Sequence, residues 1–203
     1  EVDGKFSPDP NYVYLESGFK PGLIYRVTYP SINKIANGIG LIATRDWVSY
    51  IKSNPETLPC PSIQATYGFG HSQSGRFLRH FLYLGLNLDR DKNIVFDGII
   101  AHAAGARRGE FNQRFAQPSS AIKQSTSNLP PFVATDPGED PESSLLGTQF
   151  VRGGIPKLFL VNTASEYWWA HASLSHTTPD GKHDIEPDEN CRMYFYSGTQ
   201  HSS

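Results

Sequence analysis

A serine at the centre of a glycine-flanked turn is the first feature of this sequence that could carry chemistry. Ser72 lies in the segment 70–75, which reads Gly-His-Ser-Gln-Ser-Gly. A sharp strand-to-helix turn strains its central residue and requires small residues two positions to either side. Gly70 meets this requirement, whereas Ser74 stands where a second glycine is usual. The motif predicts an exposed nucleophilic serine, and the alternative is an ordinary turn serine.

A serine hydroxyl becomes a good nucleophile only beside a base, which is usually a histidine oriented by a carboxylate. On strand-turn-helix scaffolds of this type the chain order is serine, acid, histidine. Glu166 and His201 follow Ser72 in that order, each shortly after a predicted strand. Two alternatives stay open. Glu166 could cap a helix, which would leave Asp136 or Asp184 as the acid, and His201 could be a surface histidine.

Hydrolysis by such a serine also needs backbone N–H donors for the oxyanion and a pocket for the substrate. The residue after the nucleophile supplies one donor by geometry, which assigns Gln73. The sequence does not identify the second donor, for which residues 29–33 are a candidate segment. The side chains near the predicted site that we expect to line a pocket are His71, Tyr167, Trp168 and Trp169. The alternative for the three aromatic residues at 167–169 is a place in the core, and for His71 it is packing within the turn.

The elements that must position these residues alternate along the chain. Runs rich in β-branched and aromatic residues predict strands at 23–29, 63–69, 93–102, 157–163 and 192–197. Apolar residues at helical spacing predict helices over 41–52 and 76–84. This alternation indicates an α/β fold with a mostly parallel sheet. Several prolines and many small polar residues predict a loop-rich insertion at about 107–154.

The composition of the chain limits the kinds of partner that we expect. The 203 residues suffice for a single domain spanning 1–203, and 18 basic against 20 acidic side chains give a net charge of −2. We therefore expect no nucleic-acid partner, and no apolar run is long enough to predict a membrane span. No spacing of Cys and His predicts a metal site, and no cofactor is expected. Because nothing ahead of Glu1 is visible, the compartment stays open, a secreted or periplasmic one included.

In combination, four blocks of this sequence resemble the α/β-hydrolase-domain family of large serine esterases. The first comprises residues 19–25, 38–40 and 43–46, and the second is the serine turn with the following Arg-Phe-Leu-Arg. The third is 111–118, which reads Phe-Asn-Gln-Arg-Phe-Ala-Gln-Pro, and the fourth runs in pieces from Pro156 to His201. The resemblance covers most of the chain from residue 19 onward.

This resemblance implies an α/β-hydrolase fold with Ser72 as nucleophile despite Ser74, Glu166 as acid and His201 as base. Family members are usually longer at both ends, so the chain is expected to be the catalytic part of one. The first strands of that fold are not identified in the sequence. The expected reaction is cleavage of a small-molecule carboxylic ester. The alternatives are amide or lactone hydrolysis with the same residues, and a non-catalytic binding module. Substrate identity and oligomeric state are not assigned.

The strand order of that fold also bears on the two cysteines. Cys60 would precede the fifth strand and Cys191 the eighth, so three strand spacings would put them roughly 14 Å apart. A disulfide needs Cα atoms within about 7 Å. Two free thiols are therefore predicted.

Overall fold

Four short runs of largely apolar residues pair side by side as a parallel sheet. The computed structural model of the chain describes residues 9, 11–25, 27–30, 32, 35–59, 62–111, 129–134 and 143–202. The strands follow one another across the sheet in chain order: β1 Tyr67–His71, β2 Gly98–His102, β3 Lys157–Thr163 and β4 Cys191–Tyr196. All three neighbouring pairs are parallel. The carboxyl ends of the four strands consequently meet at one edge of the sheet.

Helices occupy the connections between the strands, as parallel pairing requires. These connecting helices are α2 Gln73–Tyr83, α3 Gly147–Arg152 and α4 Ala164–Trp169, whereas α1 Ile39–Ser53 precedes β1. Short 3-10 turns cover Pro55–Thr57 and Ala172–Ser175. The α/β architecture, the helix predicted over 41–52 and the strand predicted over 157–163 are thereby confirmed. Within the described ranges, no helix is both long enough and apolar enough to cross a membrane.

The core lies between α2 and one face of the sheet. Leu78, Phe81 and Leu82 recur at helical spacing on α2 and are buried. They belong to the same cluster as Ile99 of β2 and the leucines of β3. Fully burying one such side chain contributes about 1.5–3 kcal/mol. This burial fixes α2, and with it the turn at its beginning, against the sheet.

A cluster of polar side chains lies at the amino ends of β1 and β2. The Asp97 carboxylate accepts hydrogen bonds from the Thr66 backbone N–H (2.8 Å) and from the Lys52 ammonium (3.1 Å). Asp97 therefore joins the segments that precede β1 and β2 to the last turn of α1. The strand predicted over 63–69 is displaced to β1, 67–71, because pairing with β2 begins only beyond this cluster.

The strand predicted over 23–29 does not form in the residues described there. Residues 1–32 make a compact unit of their own, separate from 33–203. Leu23 and Tyr29 are exposed, and Phe19 packs its ring edge-on against Tyr25 at 5.0 Å. A strand needs a neighbour to hydrogen-bond with, and these described residues pair with none. β-Branched and aromatic composition alone was therefore a misleading signal.

The loop-rich insertion predicted over about 107–154 contains a helix that the sequence did not indicate. This helix, α3, is six residues long, which is too short for its apolar spacing to be read from the sequence. Gln149 and Leu146 at its start are buried against the core side of α2. Residues 112–128 and 135–142 of the predicted insertion lie outside the described residues.

Candidate active site

Ser72 occupies a sharp turn between β1 and α2. Its backbone has φ 57° and ψ −117°, a conformation that non-glycine residues rarely adopt and that costs of order 1–3 kcal/mol. Two backbone hydrogen bonds hold it there. The Ser72 N–H donates to the His102 carbonyl at 2.8 Å, and the Ser72 carbonyl accepts from the Arg76 N–H at 3.0 Å. The sheet and the helix thus both fix the strained serine.

The requirement for small residues falls on Gly70 and Gly75 rather than on position 74. A Cβ atom on Gly70 would lie 2.5 Å from the Ser74 carbonyl carbon and 2.7 Å from the Gly75 nitrogen. A Cβ atom on Gly75 would lie 2.9 Å from the Gly70 carbonyl oxygen. Ser74 itself is exposed. Its side chain therefore has room in solvent, which explains why glycine is not needed there.

A continuous chain of hydrogen bonds joins three residues that the sequence predicts to act together. The Ser72 Oγ lies 2.7 Å from His201 Nε2, and His201 Nδ1 lies 2.5 Å from Glu166 Oε1. An ionised carboxylate can only accept, so Nδ1 carries the hydrogen and Nε2 is left to accept from the serine hydroxyl. The imidazole is therefore in the tautomer that can take a proton from Ser72.

Glu166 is held by its other oxygen. Its Oε2 accepts from the Thr163 backbone N–H (2.8 Å) and from the Thr163 hydroxyl (2.5 Å). The first of these bonds is one half of a capping box at the start of α4, and the Glu166 backbone N–H completes the box by donating to the Thr163 side chain. The carboxyl group is fully buried, at 0% exposure. Burial alone would raise its pKa, but the hydrogen bonds from Thr163 and His201 outweigh burial and lower the pKa of Glu166. Glu166 is consequently ionised at neutral pH.

The helix-cap role and the contact with His201 are thus not alternatives, because one carboxylate serves both. Asp184, the other described candidate acid, is 92% exposed and lies 3.8 Å from His176 instead. Asp136 lies outside the described residues. Since His201 contacts both Ser72 and Glu166, it is not an ordinary surface histidine.

Two of the four predicted pocket residues lie against His201. The Trp169 ring meets the His201 ring edge-on, with centroids 5.7 Å apart, and the His71 ring lies 5.4 Å from it. Tyr167 packs elsewhere, against the Phe195 ring at 4.5 Å and within 3.0 Å of His176 Nε2. Trp168 is 89% exposed. A pocket role for these residues stays a prediction.

Gln73 is the first residue of α2, directly after Ser72. Backbone N–H groups at a helix N-terminus point along the axis toward the end where positive dipole charge gathers. The amide of Gln73 therefore lies at the end of the helix that suits a negative charge, and its role as an oxyanion donor stays a prediction. Of the candidate segment 29–33 for a second donor, residues 31 and 33 lie outside the described residues.

Two functional partners were not identified from the sequence. Thr163 orients Glu166, and the Thr-x-x-Glu spacing of a capping box is a signal that could have found it. His102 supplies the carbonyl that holds the serine turn, and only the register of β1 against β2 brings it there. Within the described ranges, no group of three His, Cys, Asp or Glu side chains is arranged to hold a metal ion.

Comparison with known proteins places the chain at the level of the family. Searches against curated proteins and against solved structures gave no significant match. The family model described as "Alpha/beta hydrolase domain" matches residues 26–203, which is most of the chain and includes the serine turn, Glu166 and His201. With its parallel sheet, intervening helices and a serine at the turn after β1, this chain belongs to the alpha/beta hydrolase domain family.

Proposed function

We propose that this protein is a serine hydrolase that cleaves carboxylic esters. The observation that carries the proposal is the chain of hydrogen bonds from Ser72 through His201 to Glu166. Membership of the alpha/beta hydrolase domain family supports hydrolysis as the reaction class. To hydrolysis we add the kind of bond that is cleaved, a carboxylic ester, and a role for each of the three residues.

In the first half of the reaction, the Ser72 Oγ attacks the ester carbonyl while His201 Nε2 takes the hydroxyl proton. Glu166 Oε1 accepts the hydrogen bond from Nδ1 and stabilises the imidazolium that forms. The negative charge on the carbonyl oxygen is stabilised by the Gln73 N–H at the start of α2. His201 then gives its proton to the departing alcohol, which leaves the acyl group on Ser72.

In the second half, a water molecule replaces the alcohol. His201 removes a proton from the water, and the hydroxide attacks the acyl carbonyl. Collapse of this second tetrahedral intermediate breaks the bond to Ser72 Oγ, which recovers its proton from His201. The acid is released and the serine hydroxyl is restored.

Labelling with a fluorophosphonate tests the proposal, because this reagent forms a stable bond with an activated serine. Mass spectrometry should find the adduct on Ser72 and not on Ser74. The Ser72→Ala variant should lose both the adduct and the hydrolysis of p-nitrophenyl esters. The matched variant Ser74→Ala, which alters an exposed serine two residues away, should keep both.

The outcomes separate the competing functions. Absence of an adduct on the folded protein, or an ester rate unchanged in Ser72→Ala, would defeat the enzyme proposal and leave a binding module. Comparing a p-nitrophenyl ester with the p-nitroanilide of the same acid tests the bond that is cleaved. Faster cleavage of the anilide would make the protein an amidase.

A further inference from the structure

The loop that carries His201 is weakly tied to the rest of the protein. It follows β4, which ends at Tyr196, and contains no helix or strand. Among the described residues, no backbone–backbone hydrogen bond holds residues 198–202. The Thr199 hydroxyl donates to the Tyr196 carbonyl, which ties the beginning of the loop to the end of β4 but does not reach His201. Something other than regular structure must therefore fix the backbone of His201.

His71 makes that connection. Its Nε2 lies 3.3 Å from the His201 backbone oxygen. A carbonyl oxygen can only accept, so the Nε2 of His71 carries the hydrogen and donates it. The two imidazole rings also touch, with centroids 5.4 Å apart and planes tilted by 44°. One side chain thus contacts both the backbone and the ring of His201.

His71 is itself well anchored. It is the last residue of β1 and pairs in register with His102, the last residue of β2. Their rings stack with centroids 5.1 Å apart and planes 29° apart, and the Phe69 ring stacks on His102 from the same strand as His71. Stacked aromatic rings at such distances attract each other and so help to hold each ring in place. His71 therefore links a rigid strand end to a weakly held loop.

We propose that His71 is a positioning residue for His201: its Nε2–H holds the His201 carbonyl and its ring supports the imidazole. This role rests on the proposed function, in which His201 is the base, and it differs from a contact with substrate. A displacement of about 1 Å in a reacting group can cost a factor of about 100 in rate. Holding His201 within reach of Ser72 Oγ is thus a substantial contribution.

Two variants of His71 separate the two contacts. His71→Gln keeps an N–H donor at a similar reach, and His71→Phe keeps the ring but removes the donor. His183→Gln makes the same chemical change at an exposed position away from Ser72 and serves as the matched control. If His71→Phe does not fold, as judged by circular dichroism, His71→Leu removes the donor together with the ring, and its comparison with His71→Gln still isolates the donor. Each variant is measured for kcat and KM with a p-nitrophenyl ester.

In His71→Phe we expect kcat to fall by about tenfold or more with KM nearly unchanged, since the base is displaced while substrate contacts remain. His71→Gln should recover most of kcat, and His183→Gln should match the original protein. A rise in KM alone would show that His71 contacts substrate, which overturns the proposal. An unchanged kcat in His71→Phe, or no recovery in His71→Gln, would overturn it as well.

A second readout does not depend on activity. Two-bond proton–nitrogen NMR spectra of protein labelled with ¹⁵N-histidine report which nitrogen of His201 carries the hydrogen. The original protein and His71→Gln should show the Nδ1–H form, whereas His71→Phe should show a mixture of tautomers. If the protein lacks esterase activity, the proposed function fails but these spectra still decide the positioning role. A single Nδ1–H form in His71→Phe would contradict that role.

Discussion

At the scale of single residues, Glu166 shows how one buried side chain serves two purposes. One oxygen caps α4 through Thr163, and the other holds His201. Because both contacts come from the same rigid carboxylate, the helix cap fixes the direction from which His201 is held. The precision of the site therefore begins in a local backbone feature of the β3–α4 junction.

Replacing Glu166 by glutamine should separate these two purposes. Glutamine can still accept from Thr163, because capping boxes use either Glu or Gln at this position. It cannot stabilise an imidazolium as an anion does, so we expect the ester rate to fall by about 10²–10⁴-fold in a folded protein. Steady-state kinetics with a p-nitrophenyl ester measure this loss. A variant as active as the original would remove Glu166 from the proposed mechanism.

The pH dependence of unfolding provides the control for that variant. The pKa of Glu166 is lowered in the folded protein from its ordinary value of 4.5. Its ionised form therefore stabilises the fold above about pH 4.5, and this stabilisation is lost as the pH falls through the lower, folded-state pKa. The free energy of unfolding of Glu166→Gln should lie below that of the original protein at pH 7. The difference in free energy of unfolding between the two proteins should become smaller in more acidic buffer. A difference that does not change with pH would contradict the lowered pKa of Glu166.

At the scale of elements, the junction of β1 and α2 is decided by backbone contact rather than by a sequence pattern. The carbonyl group of Ser74 and the amide of Gly75 crowd the place where a side chain on Gly70 would be. Neither of these is a flexible side-chain end that could move aside. The glycine requirement at position 70 is therefore strict, whereas position 74 tolerates a side chain.

An alanine substitution should be harmful at position 70 and harmless at position 74. Gly70→Ala should lower the free energy of unfolding by about 1–3 kcal/mol, as expected for overpacking, and should greatly reduce the ester rate. Ser74→Ala, which makes a side chain of the same size at an exposed position, should change neither appreciably. Urea unfolding followed by tryptophan fluorescence measures the free energy of unfolding. Equal unfolding midpoints for the two variants would refute the steric explanation.

At the scale of the whole molecule, the two faces of the sheet differ, as far as the described residues show: one is packed and the other carries exposed side chains. The packed face carries Leu158, Leu160 and Cys191 beneath α2 and α3. On the open face, Tyr67 and Phe69 of β1 are 75% and 68% exposed. A probe within the packed layer therefore reports on the unfolding of the part of the protein that contains the sheet.

Cys191 is such a probe. It is buried and makes no disulfide, as predicted, and burial raises the pKa of its thiol to about 11. Since the thiolate is the reactive form, we expect little alkylation of Cys191 by iodoacetamide at pH 8 and rapid alkylation in denaturant. Mass spectrometry of the Cys191 peptide measures this difference. Cys60 lies outside the described residues, so a Cys60→Ser background keeps the result specific. Rapid labelling of the native protein would contradict the burial of Cys191.

Local patterns in the sequence were sufficient for much of the fold and for the choice of candidate residues. Properties of neighbouring positions predict the apolar spacing of α2, the bounds of β3 and the small residue two positions before Ser72. They also predict the order of serine, acid and histidine after successive strands. Where pairing decides the outcome, as for the predicted strand 23–29 and the start of β1, the sequence alone was misleading. A strand forms only where a neighbour completes its hydrogen bonds.

The sequence by itself determined which three side chains would follow the strand ends, because strand, turn and helix signals are local. Only the tertiary structure decided that Ser72 and His201, 129 positions apart, lie within 2.7 Å. It also decided which oxygen of Glu166 meets His201 and placed His71 beside the loop that carries His201. The physical reason is that these distances depend on which strands pair and in which register. Pairing joins segments that are far apart in the chain, and no local pattern records it.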